Sequence, residues 1–223
     1  MSSYFITGAN RGLGLEFVRQ LRARGETVLA AVRGRSTERD LTALGARVVA
    51  LDVTNGRDIE ALAREVGGPV DVLINNAGVN SRSKRLEDLD EEEMREVFAI
   101  NAIAPLLVAK ALLPSLRAGR QKKIINISSD MASIAHNSGG SSYGYRGSKA
   151  ALNMLSTCMA NELRREGLTC IALDPGWVKT DMGGAGAPLT PKESISKMLR
   201  LIDELKPEQS GSYLDLDGTL VPW

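Results

Sequence analysis

Two tyrosines and a lysine stand close together in the stretch SSYGYRGSKAALN, residues 141–153. A phenol has a reference pKa of about 10, so it exchanges a proton readily near neutral pH only where a positive charge favours its anion. Positions i and i+4 share one face of a helix. Tyr145 and Lys149 have that spacing, whereas Tyr143 pairs with Gly147, which brings no charge. The spacing predicts a helix that carries Tyr145 and Lys149 as an acid/base pair. Tyr143 is then expected in the preceding loop, lining a pocket mouth or capping the helix.

A second constellation lies near the start of the chain, where YFIT runs into TGANRGLG and then LEFVRQLRARG. Gly8, Gly12 and Gly14 follow an apolar strand and open a helix. Glycines there allow a tight turn and a close approach of backbone to a pyrophosphate, which the free N–H groups of the helix start attract. Glycine also serves ordinary turns, but this placement argues for a dinucleotide. A NAD site usually carries an acidic residue about 20 residues beyond the glycines, to bond the ribose 2′-hydroxyl. Here Arg33 and Arg35 end the second apolar run, and Arg11 sits in the glycine loop. Taken singly, each arginine reads as a solvated surface residue. Together, and with the acid missing, their paired donors suit a 2′-phosphate and favour NADP(H).

Asp52, ending the third run, either accepts a hydrogen bond from the adenine amine or caps the strand end. Asn75 and Asn76 of NNAG are expected to bond neighbouring backbone and stiffen the loop beneath the adenosine, with Gly78 allowing the turn. For Asn75 a structural role stands beside direct cofactor contact.

The elements that must position these residues follow from short apolar runs at 4–7, 27–32, 47–53, 70–75, 123–128 and 168–173, read as strands. Helical periodicity fills 13–24, 36–44, 56–66, 90–117 and 146–166 between them. A further helix over 191–205 starts behind TPKE, and SYLDLD (212–217) reads as a seventh strand. Strands without polar alternation are buried on both faces. Alternation of strand and helix implies an α/β fold, a Rossmann-type doubly wound parallel sheet with helices on both faces. No repeat or linker breaks the 223 residues, so one domain over 1–223 is expected. Pro105 has no N–H for the carbonyl of Asn101 four residues back, so the helix over 90–117 should kink there and free that carbonyl.

Composition is that of an ordinary globular chain, with 43% hydrophobic and 25% charged residues. A net charge of +1 argues against nucleic acid or a membrane surface as a partner bound through bulk charge. The two cysteines, Cys158 and Cys170, have no metal-ligand spacing around them, and His136 is the lone histidine. Both thiols are expected to be buried and reduced. No secretory pattern opens the chain. The longest apolar stretch, VFAINAIAPLLVA, falls short of the roughly 20 residues that span a bilayer. These features point to a cytoplasmic protein.

In order and spacing, TGANRGLG, NNAG, the Asn of FAINAIAP, NISS, YRGSK and DPGWVKTDM resemble the short-chain dehydrogenase/reductase family. INISSDMASI, DPGWVKTDMGG and the final VPW are similar to its C-factor-like branch, related to small carbonyl reductases. The resemblance covers nearly the whole chain and implies a catalytic set of Ser129, Tyr145, Lys149 and Asn101. It implies NADP(H) contacts from Gly8, Asn10, Arg11, Gly12, Leu13, Gly14, Arg33, Asp52, Val53, Asn75, Ala77 and Gly78. Tyr145, Lys149, Pro175, Gly176, Val178 and Thr180 complete that set. In the family, the serine bonds the substrate oxygen, a water at the Asn carbonyl links the lysine to solvent, and the PGWVKT loop orients the nicotinamide. Reduction of a carbonyl to an alcohol is the implied reaction, with a homodimer or homotetramer as the implied assembly. Ser129 lies sixteen positions before Tyr145, further than in many family members, and SIAHNSGGSS must absorb the difference. MGGAGAPLTP, beyond the PGWVKT loop, reads as a short mobile lid over an open pocket.

Overall fold

The computed structural model describes residues 1–34 and 38–223. Arg35, one of the arginines considered for the 2′-phosphate, lies outside the described residues. Among the described residues, seven parallel strands form one sheet: β1 (Ser3–Thr7), β2 (Thr27–Val32), β3 (Arg47–Ala50), β4 (Val72–Asn75), β5 (Lys123–Ile127), β6 (Thr169–Leu173) and β7 (Tyr213–Leu214). Their order is β3-β2-β1-β4-β5-β6-β7. The chain therefore reverses direction across the sheet between β1 and β4, the switch point at which doubly wound folds hold ligands.

Helices cover both faces: α1 (Gly12–Ala23), α2 (Glu38–Ala43), α3 (Gly56–Val66), α4 (Glu91–Phe98), α5 (Ala104–Ala118), α6 (Tyr143–Leu163) and α7 (Pro191–Glu204). Successive strand residues point to opposite faces, and the buried side chains obey that rule. Tyr4, Ile6, Val72 and Ile74 join Phe17, Leu21, Met198 and Ile202 beneath α1 and α7. Phe5, Leu73 and Ile124 join Leu62, Leu112, Leu116 and Leu163 beneath α3, α5 and α6. Two apolar layers about one sheet explain why the strand sequences lack polar alternation.

The strand expectations hold, with β2 as expected, β1 one residue longer and the others shorter, most of all β7, reduced to two residues. The helix expected over 90–117 is three pieces. A π-helical turn, Ala99–Ile103, separates α4 from α5, and the Ala104 N–H reaches back five residues to the Ala99 carbonyl. Pro105, without an N–H, sits in the first turn of α5, where none is needed. The missing donor thus widens the helix by one residue rather than only bending it. Because the pieces join, Glu91–Ala118 is a helical run long and apolar enough to cross a membrane, which corrects the expectation that no stretch reaches that length. Half of its most apolar window is buried inside this protein, with α5 packed on α3 and α4 on α6.

Tyr143 is the first residue of α6, so it lies on the helix rather than in the loop before it. Cys170 is buried in β6, but Cys158 is exposed, contrary to expectation. Leu152, Ser156 and Ala160 mark the buried stripe of α6, and Cys158 falls outside it.

Candidate active site

The first turn of the cofactor side is shaped by backbone alone. Gly8 takes a φ of 64° and, at Gly14, a Cβ would stand 2.2 Å from the Gly8 carbonyl oxygen. No side chain fits there. The N-terminus of α1 has no capping side chain on Arg11 and no acidic residue in its first turn. Its N–H groups and dipole are therefore left for an anion, which fits the pyrophosphate of a dinucleotide. Asn76 locks this turn to the end of β4: its amide donates to the carbonyls of Thr7 (2.9 Å) and Gly8 (3.1 Å). The Thr7 hydroxyl accepts from the N–H groups of Asn76 and Ala77, both at 3.0 Å.

Asn75 turns inward instead. Its buried amide donates to the Asn126 side chain (2.8 Å) and the Pro105 carbonyl (3.3 Å). Asn126 in turn donates to Ser156 on α6 at 2.8 Å. This chain of buried amides joins β4, β5, α5 and α6 beneath the site. Val53, Asn75 and Ala77 line one narrow recess with Thr7, Ile100 and Pro105.

Arg33 is exposed at the end of β2, and its charge helps to lower the Asp52 pKa. The main cause of that lowering is the Thr54 hydroxyl, which donates to Asp52 at 2.7 Å. One Asp52 oxygen therefore serves the local turn, in keeping with the strand-end reading. Arg11 reaches Asp181, beyond β6, at 3.5 Å, and both side chains are exposed.

The catalytic candidates gather at the ends of β4, β5 and β6. Lys149 is buried on α6 and donates to the Ile127 carbonyl, the last residue of β5, at 2.7 Å. Its Nζ lies 6.0 Å from the centre of the Tyr145 ring. Burial draws the Lys149 pKa down to about 8. Burial pushes the Tyr145 phenol up; the Ser129 side chain pulls it down, and the Asp174 carboxylate adds to the rise. Ser128 faces away, its hydroxyl donating to Asn153 at 2.6 Å, so the adjacent serines divide as strand neighbours should.

Asn101, fully buried in the π turn, exchanges two hydrogen bonds with the Val79 backbone at 2.9 Å each and donates to Ser148 at 3.0 Å. Ser148 also donates to the Tyr145 carbonyl at 2.9 Å, which ties the π turn to the helix bearing Tyr145. A Cβ at Gly78 would stand 3.3 Å from Asn101 Oδ1 and 3.7 Å from Lys149 Nζ, so these three residues meet closely.

The long spacer before Tyr145 folds as a single 3₁₀ turn, Asp130–Ala132, and a loop with Gly140, Ser141 and Ser142 at positive φ. The Ser142 N–H bonds the Lys84 carbonyl at 2.9 Å and anchors the loop. Thr180 approaches the glycine loop, 3.6 Å from a Cβ built on Gly12. The Pro175 carbonyl accepts from Ser194 of α7 at 2.8 Å, and Gly176 has a φ of 71°. The segment read as a lid is tied back at its start. Trp177 donates to the Gly183 carbonyl (2.8 Å), and the Gly183 N–H donates to the Thr180 hydroxyl (3.1 Å). Trp177 and Met182 are large exposed apolar groups near that turn.

Sequence reasoning passed over Asp174, Ser148 and Tyr213. Asp174 directly follows β6, and burial raises its pKa against the N–H groups of Gly176 and Asp130 that bond it. A carboxylate just after a buried strand, next to PG, was the available signal. Ser148 and Tyr213 carried none.

The short chain dehydrogenase family matches residues 3–188. The chain is 51% identical over 156 residues to the "C-signal" of Myxococcus xanthus, covering 70% of this chain and 94% of that one. Two solved structures overlay all of it. The NADPH-bound carbonyl reductase from chicken fatty liver has a TM-score of 0.93 and 37% identity, with 99% of that chain covered. Carbonyl reductase Sniffer of D. melanogaster has a TM-score of 0.95 and 33% identity, with all of that chain covered. The chain belongs to the short-chain dehydrogenase/reductase family and is an oxidoreductase of that class.

The charge on Lys149 sets a pH limit. With a pKa of about 8, the ammonium is present below that pH and lost above it, while the phenol, raised by burial, keeps its proton. In a pH profile of kcat/KM for carbonyl reduction, wild type should therefore fall as pH rises through about 8. A profile flat to pH 10 would contradict this placement of the charge.

Proposed function

We propose that the protein is an NADP(H)-dependent reductase that interconverts a small-molecule carbonyl and its alcohol. The observation that carries this reading is the meeting of Ser129, Tyr145 and Lys149 at the end of β5, across the switch point from the uncapped start of α1. NADPH, when bound, supplies the hydride for the carbonyl carbon. Ser129 holds the carbonyl oxygen, and Tyr145 gives that oxygen its proton as charge develops on it. Lys149 stabilises the tyrosinate left behind. The Asn101 carbonyl holds the water through which the proton is resupplied. Gly8, Asn10, Gly12, Leu13 and Gly14 receive the pyrophosphate side of the cofactor; Arg11 and Arg33 receive the 2′-phosphate. Asp52, Val53, Ala77 and Gly78 line the adenosine side, and Pro175, Gly176, Val178 and Thr180 the nicotinamide. General acid catalysis of this kind contributes about 10²- to 10⁴-fold. Tyr145→Phe should lose kcat within that range on a panel of carbonyl substrates while keeping NADPH affinity.

A second reading, an NAD(P)-binding signalling protein that acts through protein contacts, is favoured by the 51% identity to the protein named C-signal. It predicts cofactor binding with no turnover on any carbonyl and no loss of function in Tyr145→Phe. For the cofactor choice, Arg33→Ala should cut the preference for NADPH over NADH by roughly tenfold, the worth of a charged hydrogen bond. An unchanged preference would place the phosphate elsewhere.

The proposed setting is cytoplasmic, as a homodimer or homotetramer. Ile103, Leu107 and Met154 support the assembly, being large apolar groups exposed on the π turn, α5 and α6. Light scattering at micromolar concentration should return a multiple of the 23.9 kDa chain mass; a monomer would refute the assembly.

A further inference from the structure

The segment after β7 turns back along it. The Asp215 N–H donates to the Thr219 carbonyl at 3.0 Å, and Leu220 forms an antiparallel bridge with Leu214. The Val221 N–H then donates to the Tyr213 carbonyl at 2.9 Å. This path lays Trp223 on Tyr213, with ring centres 5.6 Å apart and planes inclined by 28°.

The same segment grips the chain leaving β5. The Ser133 hydroxyl donates to the Pro222 carbonyl at 2.6 Å, and the Ala135 N–H donates to the Trp223 carbonyl at 3.0 Å. Beneath them the Tyr213 hydroxyl donates to the backbone carbonyl of Ser129. Tyr213 is fully buried, yet the proposed chemistry assigns it no proton to move. Ser129 needs such restraint, because its own hydroxyl also accepts from the Met131 N–H at 3.2 Å. A hydroxyl shared with a local turn points at Tyr145 only while its peptide is held from outside.

We infer that Tyr213, braced by Trp223, is a positioning residue that fixes the Ser129 backbone and so aims the Ser129 hydroxyl at the carbonyl oxygen. The inference rests on the reductase reading. It identifies residues 213–223 as part of the active-site wall and Trp223 as the brace on which the serine depends. Misplacing a reacting group by about 1 Å can cost on the order of 10²-fold in rate, and loss of one anchoring hydroxyl is a smaller disturbance than that.

The test uses Tyr213→Phe, which keeps the ring stack and removes the hydroxyl, with Trp223→Ala and Trp223→Phe. Tyr213→Phe and Trp223→Ala should each lower kcat for carbonyl reduction by about tenfold, with NADPH affinity unchanged and Trp223→Phe close to wild type. In a Ser129→Ala background, read by single-turnover kinetics, Tyr213→Phe should cost nothing further. A full tenfold loss in that background, or no loss in the single variants, overturns the inference. Amide hydrogen exchange over residues 130–136 should quicken in Tyr213→Phe and Trp223→Ala, and unchanged exchange also overturns it. The exchange result needs no turnover. An inert wild type with quickened exchange would therefore defeat the reductase reading alone, leaving the brace in place.

Discussion

One hydrogen bond organises the site: the buried Lys149 ammonium donating to the Ile127 carbonyl at the end of β5. It places a positive charge where the sheet ends and pins α6 across that end. Tyr145, one helical turn before Lys149, is thereby held over the same spot. A buried ammonium is costly unless hydrogen-bonded, and burial here brings its pKa down to about 8. Burial raises the Tyr145 phenol and the Asp174 carboxylate adds to that rise, while the Ser129 side chain lowers it.

The rest of the fold serves this arrangement. The sheet reverses between β1 and β4, which brings the uncapped start of α1 beside the end of β4. The π turn presents Asn101 to both Val79 and Ser148, so the loop after β4 and α6 share one buried amide. Asn75, Asn126 and Ser156 repeat that device a layer lower. The Asn101 set is satisfied and fixes one geometry, whereas the lower chain leaves the buried Asn75 Oδ1 without a partner among the described residues. The site is thus held by side-chain amides as well as by apolar packing.

Much of this was legible in the sequence because periodic constraints governed it. Strands buried on both faces carry uninterrupted apolar runs, so six strands and their parallel sheet could be read directly, though not their order in it. The four-residue interval between Tyr145 and Lys149 distinguished one tyrosine from its neighbour for the same reason. What stayed hidden depended on tertiary contact. The Pro105 donor deficit was visible, but a wide turn and a plain kink satisfy it equally, and the π turn and α4 that settle the shape both pack on the distant α6. Cys158 was expected to be buried because neither cysteine has metal-ligand spacing around it, whereas its position on the helix face decides its exposure. Tyr213 gave no local signal at all, since its partners Ser129 and Trp223 lie 84 residues before it and beyond a reversal of the chain after it.

The central claim is that Lys149 makes Tyr145 a titratable acid in the working complex. It is tested most directly by following the ¹³Cζ resonance of Tyr145 against pH in the complex with oxidised NADP, for wild type and for Lys149→Met. The account predicts that Tyr145 titrates at a distinctly lower pH in wild type than in the variant. Superimposable titration curves would contradict it.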